Sequence, residues 1–309
     1  MSEKHSLLII GNVSSAITGS RGACEDLADQ LEKAGWHVIL ASSKKNRLSR
    51  LTDMLRSVLK FRKEYQVAII DVFSGWSFIW AELIALTLRL INKQYILVLR
   101  GGSLPEFMKS HLFRVRHLLR SADKIVAPSN FLIEEFLHLR SDIVLIPNPI
   151  HLDRYFFQSK NKIAPKLVWL RAFHNIYNPE LAPKIIKILS HSIPDITLLM
   201  IGPDKNDGSL LRTKQLCEDF TLKEHIAFKG PVSKKDVPFW MNKGDIFINT
   251  TNIDNTPVTV IEAMACGLCV VSTNVGGIPY LLEDEKDSLL VPPNDPFAMA
   301  EAILRLLTE

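Results

Sequence analysis

Residues 249–279 read NTTNIDNTPVTVIEAMACGLCVVSTNVGGIP. The run Asp245 to Ile248 leads into this stretch as a short apolar strand, and the polar residues Asn249 to Asn255 follow. Thr256-Pro257 then opens a helix expected to reach about Cys266, because Pro at the first helical position with Thr before it is a start signal. Gly267 ends the helix, and Cys269 to Ser272 reads as the next strand. Strand, helix, strand in this order is the repeating unit of a parallel α/β sheet. The helix start leaves the N–H groups of Val258, Thr259 and Val260 without intrahelical acceptors, so together with the helix dipole they form an anion site.

Glu262 is the exception in that helix, surrounded by Val258, Val260, Ile261, Ala263, Met264 and Ala265. A carboxylate buried in such surroundings is costly unless something hydrogen-bonds it. A ligand's paired hydroxyls would do so. An Arg from elsewhere in the chain would serve equally well. Asp254 precedes the same helix, so one short segment offers two carboxylates beside an anion site. That combination suits a ligand with phosphates and several hydroxyls.

The segment resembles the donor-binding signature of the family 4 retaining glycosyltransferases. Their pattern is a carboxylate, a short spacer, Glu followed by Ala-Met-Ala-Cys-Gly, and later Gly-Gly-Ile-Pro. Here Asp254 and Glu262 stand at the family spacing, followed by Ala263 to Gly267 and then Gly276-Gly277-Ile278-Pro279. The sequence departs from the pattern where Asp254 replaces the more frequent Glu, and where Tyr280 follows Ile-Pro in place of Glu. The resemblance implies an α/β protein of GT-B fold, with two Rossmann-like domains whose parallel sheets face across a cleft. It also implies transfer of a sugar from a nucleotide-diphosphate sugar to a hydroxyl acceptor, in glycan, polysaccharide or glycolipid biosynthesis. In that role Glu262 holds the ribose hydroxyls, and Asp254 and Asn255 grip the transferred sugar. Thr256, Pro257, Val258 and Thr259 belong to the donor site. The donor is a substrate, and neither a cofactor nor a metal is implied. No strand ends in Asp-x-Asp, and Glu283-Asp284-Glu285 reads as an exposed acidic turn.

The length of 309 residues fits about two domains, and 47% hydrophobic residues suffice for proper cores. The first domain is expected over residues 1–150 on the acceptor side, a linker over about 151–165, and the donor domain over 166–309. Cys24, Cys217, Cys266 and Cys269 are too few and scattered for a disulfide framework, which suggests a reducing compartment. Cys266 and Cys269 form a lone CxxC, and Cys266 is explained by the helix-ending pattern. The apolar run Leu7 to Ile10 is too short for a signal peptide, and Trp76 to Ile91 is interrupted by Glu82 and Arg89. A cytoplasmic protein is expected, with the inner face of a membrane as an alternative. Of the net charge of +4, residues 1–150 contribute +6 and the remainder −2, so an anionic partner is expected on the first half. Residues 44–63 form a basic amphipathic helix of the kind that lies on anionic membranes, or simply a solvated helix packed on its domain. Lys109 to Arg120 reads as a second basic helix. No nucleic-acid partner is indicated.

In chain order, strand Leu7 to Ile10 is followed by the loop GNVSSAITGSRG, a helix to Ala34, and strand Trp36 to Ala41. This βαβ opening lacks GxGxxG and lacks an acid closing its second strand, which disfavours a nicotinamide dinucleotide. By the resemblance, Gly19, Ser20 and Arg21 meet donor phosphates or the acceptor; a tight turn explains them as well. Strand Tyr95 to Leu99 ends at Arg100-Gly101-Gly102-Ser103, where many relatives carry a sugar-contacting His; Arg100 is a candidate acceptor or phosphate contact, or part of a structural turn. Ser129-Asn130 caps a helix, and Ile143 to Ile146 closes the first domain. In the second domain Leu167 to Leu170 ends in Arg171. Relatives place Gly-Arg there and a Lys five residues on, both on the donor pyrophosphate. Arg171 matches, with a structural salt bridge as its alternative role, while Leu170 replaces the Gly and Ile176 stands in the Lys position. Gly230 and Val232, after strand His225 to Phe228, are expected to meet the nucleotide base through their backbone. The resemblance further implies a tail beyond Pro296 to Leu307, so the C-terminus is expected to be short. A sugar-nucleotide epimerase and a non-catalytic subunit of the same fold remain as alternatives.

Overall fold

The computed structural model describes residues 5–13, 22–44, 46–159 and 162–308. Gly19, Ser20 and Arg21 lie outside them. The chain divides into two compact units, Met1–Asn148 and Pro149–Glu309.

The first unit carries β1 (Ser6–Ile10), α1 (Ala23–Lys33), β2 (His37–Ala41), α2 (Arg47–Lys60), β3 (Val67–Val72) and α3 (Trp76–Leu90). It continues through β4 (Gln94–Leu99), α4 (Leu104–Ser110), α5 (Leu112–Ser121), β5 (Lys124–Ala127), α6 (Asn130–Phe136) and β6 (Ile143–Leu145). Its six-stranded parallel sheet has the order β2-β1-β3-β4-β5-β6. Helices cover both faces, so central strands read as unbroken apolar runs; all five residues of β1 are buried. The larger core packs Leu8, Ile70, Phe78, Ile84 and Leu97 together, and Leu7, Ile9, Cys24 and Ala28 fill the opposite face.

Local chemistry sets the helix ends. Asn46 caps α2, its side-chain oxygen accepting from the N–H groups of Leu48 (2.9 Å) and Ser49 (3.3 Å). Met54 and Val58 of α2 are buried while Leu48 is 76% exposed, so the basic helix packs on its own unit by a narrow apolar stripe. The second basic helix is not continuous. His111 leaves helical geometry (φ −133°, ψ 36°), its ring stacks on Phe107 at 4.2 Å, and the chain restarts as α5.

The second unit holds β7 (Lys166–Leu170), α7 (Leu181–Ser190), β8 (Thr197–Ile201), α8 (Ser209–Asp219), β9 (Ile226–Gly230) and α9 (Val237–Met241). Then come β10 (Ile246–Asn249), α10 (Val258–Ala265), β11 (Cys269–Thr273), β12 (Leu289–Val291) and α11 (Pro296–Thr308). The sheet, again parallel, has the order β12-β11-β10-β7-β8-β9. Trp169, fully buried at its centre, donates its indole N–H to Thr250 Oγ1 at 2.9 Å.

Both sheets reverse their winding direction once, between β1 and β3 in the first unit and between β7 and β10 in the second. At such a switch point the loops leaving the C-terminal strand ends diverge, and the crevice they leave is where doubly wound sheets bind ligands.

Candidate active site

In the second unit the crevice beyond β7 and β10 gathers most of the residues singled out from the sequence. Arg171 follows β7 directly, and its N–H donates to the Ile201 carbonyl at 3.0 Å. Gly202 makes this approach possible, since a Cβ there would lie 1.7 Å from the Arg171 carbonyl oxygen. The Arg171 side chain is 12% exposed, and its guanidinium carbon lies 4.7 Å from the centroid of the Tyr177 ring. Its Nη2 donates to the Asp254 carboxylate, which is equally buried. Arg171 Nε is buried with no hydrogen-bond partner among the described residues.

Asp254 Oδ1 accepts the Asn255 N–H at 2.8 Å. Burial pushes the Asp254 carboxyl above the usual carboxylate range, and Arg171 pulls it back. The loop is fixed from the other side by Gly276-Gly277. The Gly277 N–H donates to the Asp254 carbonyl at 3.0 Å, and Gly276 has φ +54°. Added Cβ atoms would stand 2.2 Å from the Asp254 carbonyl oxygen at Gly276, and 1.7 Å from that of Asn255 at Gly277. The paired glycines are therefore what lets the carboxylate loop settle against the turn before Pro279.

Pro257 occupies the N-cap of α10 (φ −70°, ψ 103°), one position earlier than the sequence suggested. The first turn also corrects the expected set of free N–H groups. Val260 donates to the Pro257 carbonyl at 3.0 Å because the turn closes tightly there. Val258 and Thr259 keep N–H groups with no acceptor among the described residues. Thr259 Oγ1 beside them is buried and has no partner among the described residues. Thr256 is half-buried at the approach to this turn.

Glu262 is 1% exposed. Its partner is not an arginine. Tyr155 Oη donates to Glu262 Oε1 at 2.6 Å, and Lys234 Nζ lies 2.6 Å from the same oxygen. Oε2 takes no hydrogen bond among the described residues. Burial, and the neighbouring Glu262 charge, push the Tyr155 hydroxyl up, so it stays a donor at any physiological pH. Neither Tyr155 nor Lys234 was picked out from the sequence. Lys234 sits only two residues beyond Val232, in the loop after β9, and its side chain is 32% exposed. Gly230, at the end of β9, has φ +76° with open space where a Cβ would point, and Val232 packs on the adjoining apolar cluster.

At the position of the expected lysine, Ile176 contributes its carbonyl. The oxygen accepts from the Asn252 N–H (2.8 Å) and Thr251 Oγ1 (3.2 Å), tying down the loop that leads to Asp254. Arg100 belongs to the first unit's strand ends. Its Nε donates to Asp71 Oδ1 at 2.9 Å and its Nη1 to Asn148 Oδ1 at 2.8 Å, which commits most of the fork to structure. None of the four cysteines is in a disulfide. Among the described residues no group of three or more His, Cys, Asp or Glu could hold a metal ion, and no helix is long and apolar enough to cross a membrane.

Two parallel six-stranded sheets in separate units, each wrapped by helices, are the GT-B architecture. Sucrose-phosphate synthase from Thermosynechococcus elongatus superimposes with a TM-score of 0.82 at 18% identity, over 99% of this chain and 90% of that one. Anabaena Alr3699/HepE, solved in complex with UDP and glucose, gives 0.75 at 16% identity, over 99% of this chain and 90% of its own. Residues 164–309 match the family described as glycosyl transferases group 1. The matched residues carry Arg171, Lys234, Asp254, Glu262 and the start of α10, so the similarity to the group 1 glycosyl transferases lies in the second unit. D-inositol 3-phosphate glycosyltransferase of Paenarthrobacter aurescens (strain TC1) is 25% identical over 240 residues, 73% of this chain. The chain spans 58% of that relative's length.

Proposed function

We propose that the chain is a retaining glycosyltransferase that moves a sugar from a nucleotide-diphosphate sugar to a hydroxyl acceptor. The observation that carries this reading is a set of unmet polar groups in one crevice. Arg171 Nε, Thr259 Oγ1 and the first-turn N–H groups of Val258 and Thr259 all lack partners there among the described residues. Buried donors are rarely left unpaired, and a pyrophosphate supplies the acceptors these require. The complex of HepE with UDP and glucose supports a nucleoside diphosphate as the ligand class.

In this reading, cleavage of the sugar–phosphate bond builds negative charge on the leaving diphosphate. Arg171 and the start of α10 stabilise it as fixed electrostatics that need no reorganisation. Asp254 orients the Arg171 fork through Nη2 and faces the transferred sugar together with Asn255. Glu262 receives a ribose hydroxyl on its open Oε2. Lys234 neutralises Glu262 and supplies the second cation that the chain lacks at Ile176. None of these side chains is assigned as a nucleophile, and, as the family resemblance implies, the leaving phosphate takes the acceptor proton. The reaction proceeds without a metal.

The test is incubation with a panel of nucleotide-diphosphate sugars, with and without magnesium. The expected result is metal-independent release of one nucleoside diphosphate, with the anomeric configuration of the released or transferred sugar retained by NMR. Turnover to an epimerised sugar nucleotide would identify an epimerase instead. Binding without release would identify a non-catalytic subunit. Lys234→Ala is expected to weaken nucleoside-diphosphate binding about tenfold, the worth of one hydrogen bond to a charged group. Calorimetric titration of the variant against the parent chain checks this.

A further inference from the structure

The first unit has its own crevice at its own switch point. A cavity of about 480 Å³ opens beyond the C-terminal ends of β1 and β3, within the size range of small-ligand sites. Its floor is apolar and buried, formed by Ile10, Met54, Ile70 and Ile84. Phe73, Trp76 and Trp80 add aromatic surface, and Trp76 is 70% exposed at the rim.

The charges are uneven. Arg50 and Arg47 of α2 both line the cavity. Arg50 is half-buried, yet among the described residues its guanidinium meets only neutral acceptors, the Lys44 carbonyl (2.8 Å) and Asn12 Oδ1 (2.9 Å). Among the described residues neither arginine has a carboxylate partner. Asp71, the acid in the lining, is already neutralised by Arg100. The N-terminus of α3 also opens here. Gly75 caps it without a side chain, and the N–H groups of Trp76 and Ser77 have no acceptor among the described residues. A partly desolvated cation without a counter-ion, facing a positive helix end, is a site waiting for an anion.

We propose that this cavity binds a phosphorylated ligand, with its phosphate on Arg50, Arg47 and the start of α3 and its uncharged part against Trp76, Trp80 and Phe73. Read with the proposed function, on which this last step rests, the ligand is the acceptor, a phosphate-bearing polyol or sugar. Such a phosphate comes either from a soluble sugar phosphate or from a lipid headgroup. Arg50 is the anchor because its guanidinium is braced by Asn12 and Lys44 while its Nη2 has no partner among the described residues.

The test uses the full chain without donor. Binding of inorganic phosphate, a hexose 6-phosphate and the uncharged hexose is measured by calorimetry. Flotation is measured with phosphatidylcholine vesicles, with and without phosphatidic acid. The phosphorylated hexose is expected to bind more tightly than either phosphate or hexose, with affinity falling at least about tenfold in Arg50→Gln. Selective flotation with phosphatidic acid, lost in Arg50→Gln, would assign the phosphate to a lipid. Trp76→Ala, at an exposed rim position, is expected to weaken the hexose phosphate but not inorganic phosphate. Nucleoside-diphosphate binding in the same samples separates the two sites. If it persists in the parent chain while no phosphorylated probe binds, or if Arg50→Gln leaves phosphate binding unchanged, the proposal is overturned and the donor site stands.

Discussion

Arg171→Ala is expected to reduce sugar transfer by about 100- to 1,000-fold, the usual effect of removing one donor to a developing negative charge. It should also destabilise the fold. Asp254 is 12% exposed and has Arg171 as its ion-pair partner, so truncating the arginine strands a buried carboxylate. The loss expected on breaking such a pair is about 3–5 kcal/mol. The two effects are separable. Arg171→Met combined with Asp254→Asn removes both charges, so the melting temperature should return towards that of the parent chain while transfer stays low. Melting curves and initial rates on the single and double variants check this. Recovery of activity together with stability would reduce Arg171 to a structural role.

Gly277→Ala should be a highly damaging conservative change at the site. The residue has φ −83°, which any residue adopts, so the cost is entirely contact. The new Cβ would lie 1.7 Å from a backbone oxygen, that of Asn255, which moves only if the carboxylate loop moves. Overpacking of this kind costs up to about 3 kcal/mol, and here the strain is delivered to the site itself. Donor affinity should therefore fall further than stability alone explains. Gly230→Ala is the comparison. Its φ of +76° strains an alanine, but open space surrounds the new Cβ, so a loss near 1 kcal/mol with a smaller change in binding is expected. Equal effects at both glycines would argue against loop positioning by Gly276-Gly277.

Much of this fold is readable in the sequence because parallel strands buried on both faces are unbroken apolar runs. β1 and β10 announce themselves in that way, as does α10 between its Pro257 and Gly267 boundaries. The three residues of β12 do not, being too short to show a pattern. The break at His111 is also invisible in the sequence, since the apolar positions of α4 and α5 keep helical spacing across it. Within the site, spacing identified Asp254 and Glu262 as carboxylates in need of partners. It did not identify the partners, because those are tertiary. Tyr155 reaches Glu262 from 107 positions earlier, and Lys234 arrives on the loop after a different strand. The sequence leaves a salt bridge open for Arg171 without naming its partner, and Asp254 emerges as that partner only because β7 and β10 are neighbours. The role of Gly276-Gly277 was likewise hidden, since it depends on which backbone passes within reach.

The proposed nucleoside-diphosphate site of the second unit lies between Arg171, the start of α10 and Glu262. It is tested most directly by calorimetric titration of UDP, GDP, ADP and dTDP, without metal, into the parent chain and Glu262→Ala. One nucleoside diphosphate should bind the parent chain, and its affinity should fall by at least about tenfold in the variant. Absence of binding by all four, or an affinity unchanged by loss of the Glu262 carboxylate, would contradict it.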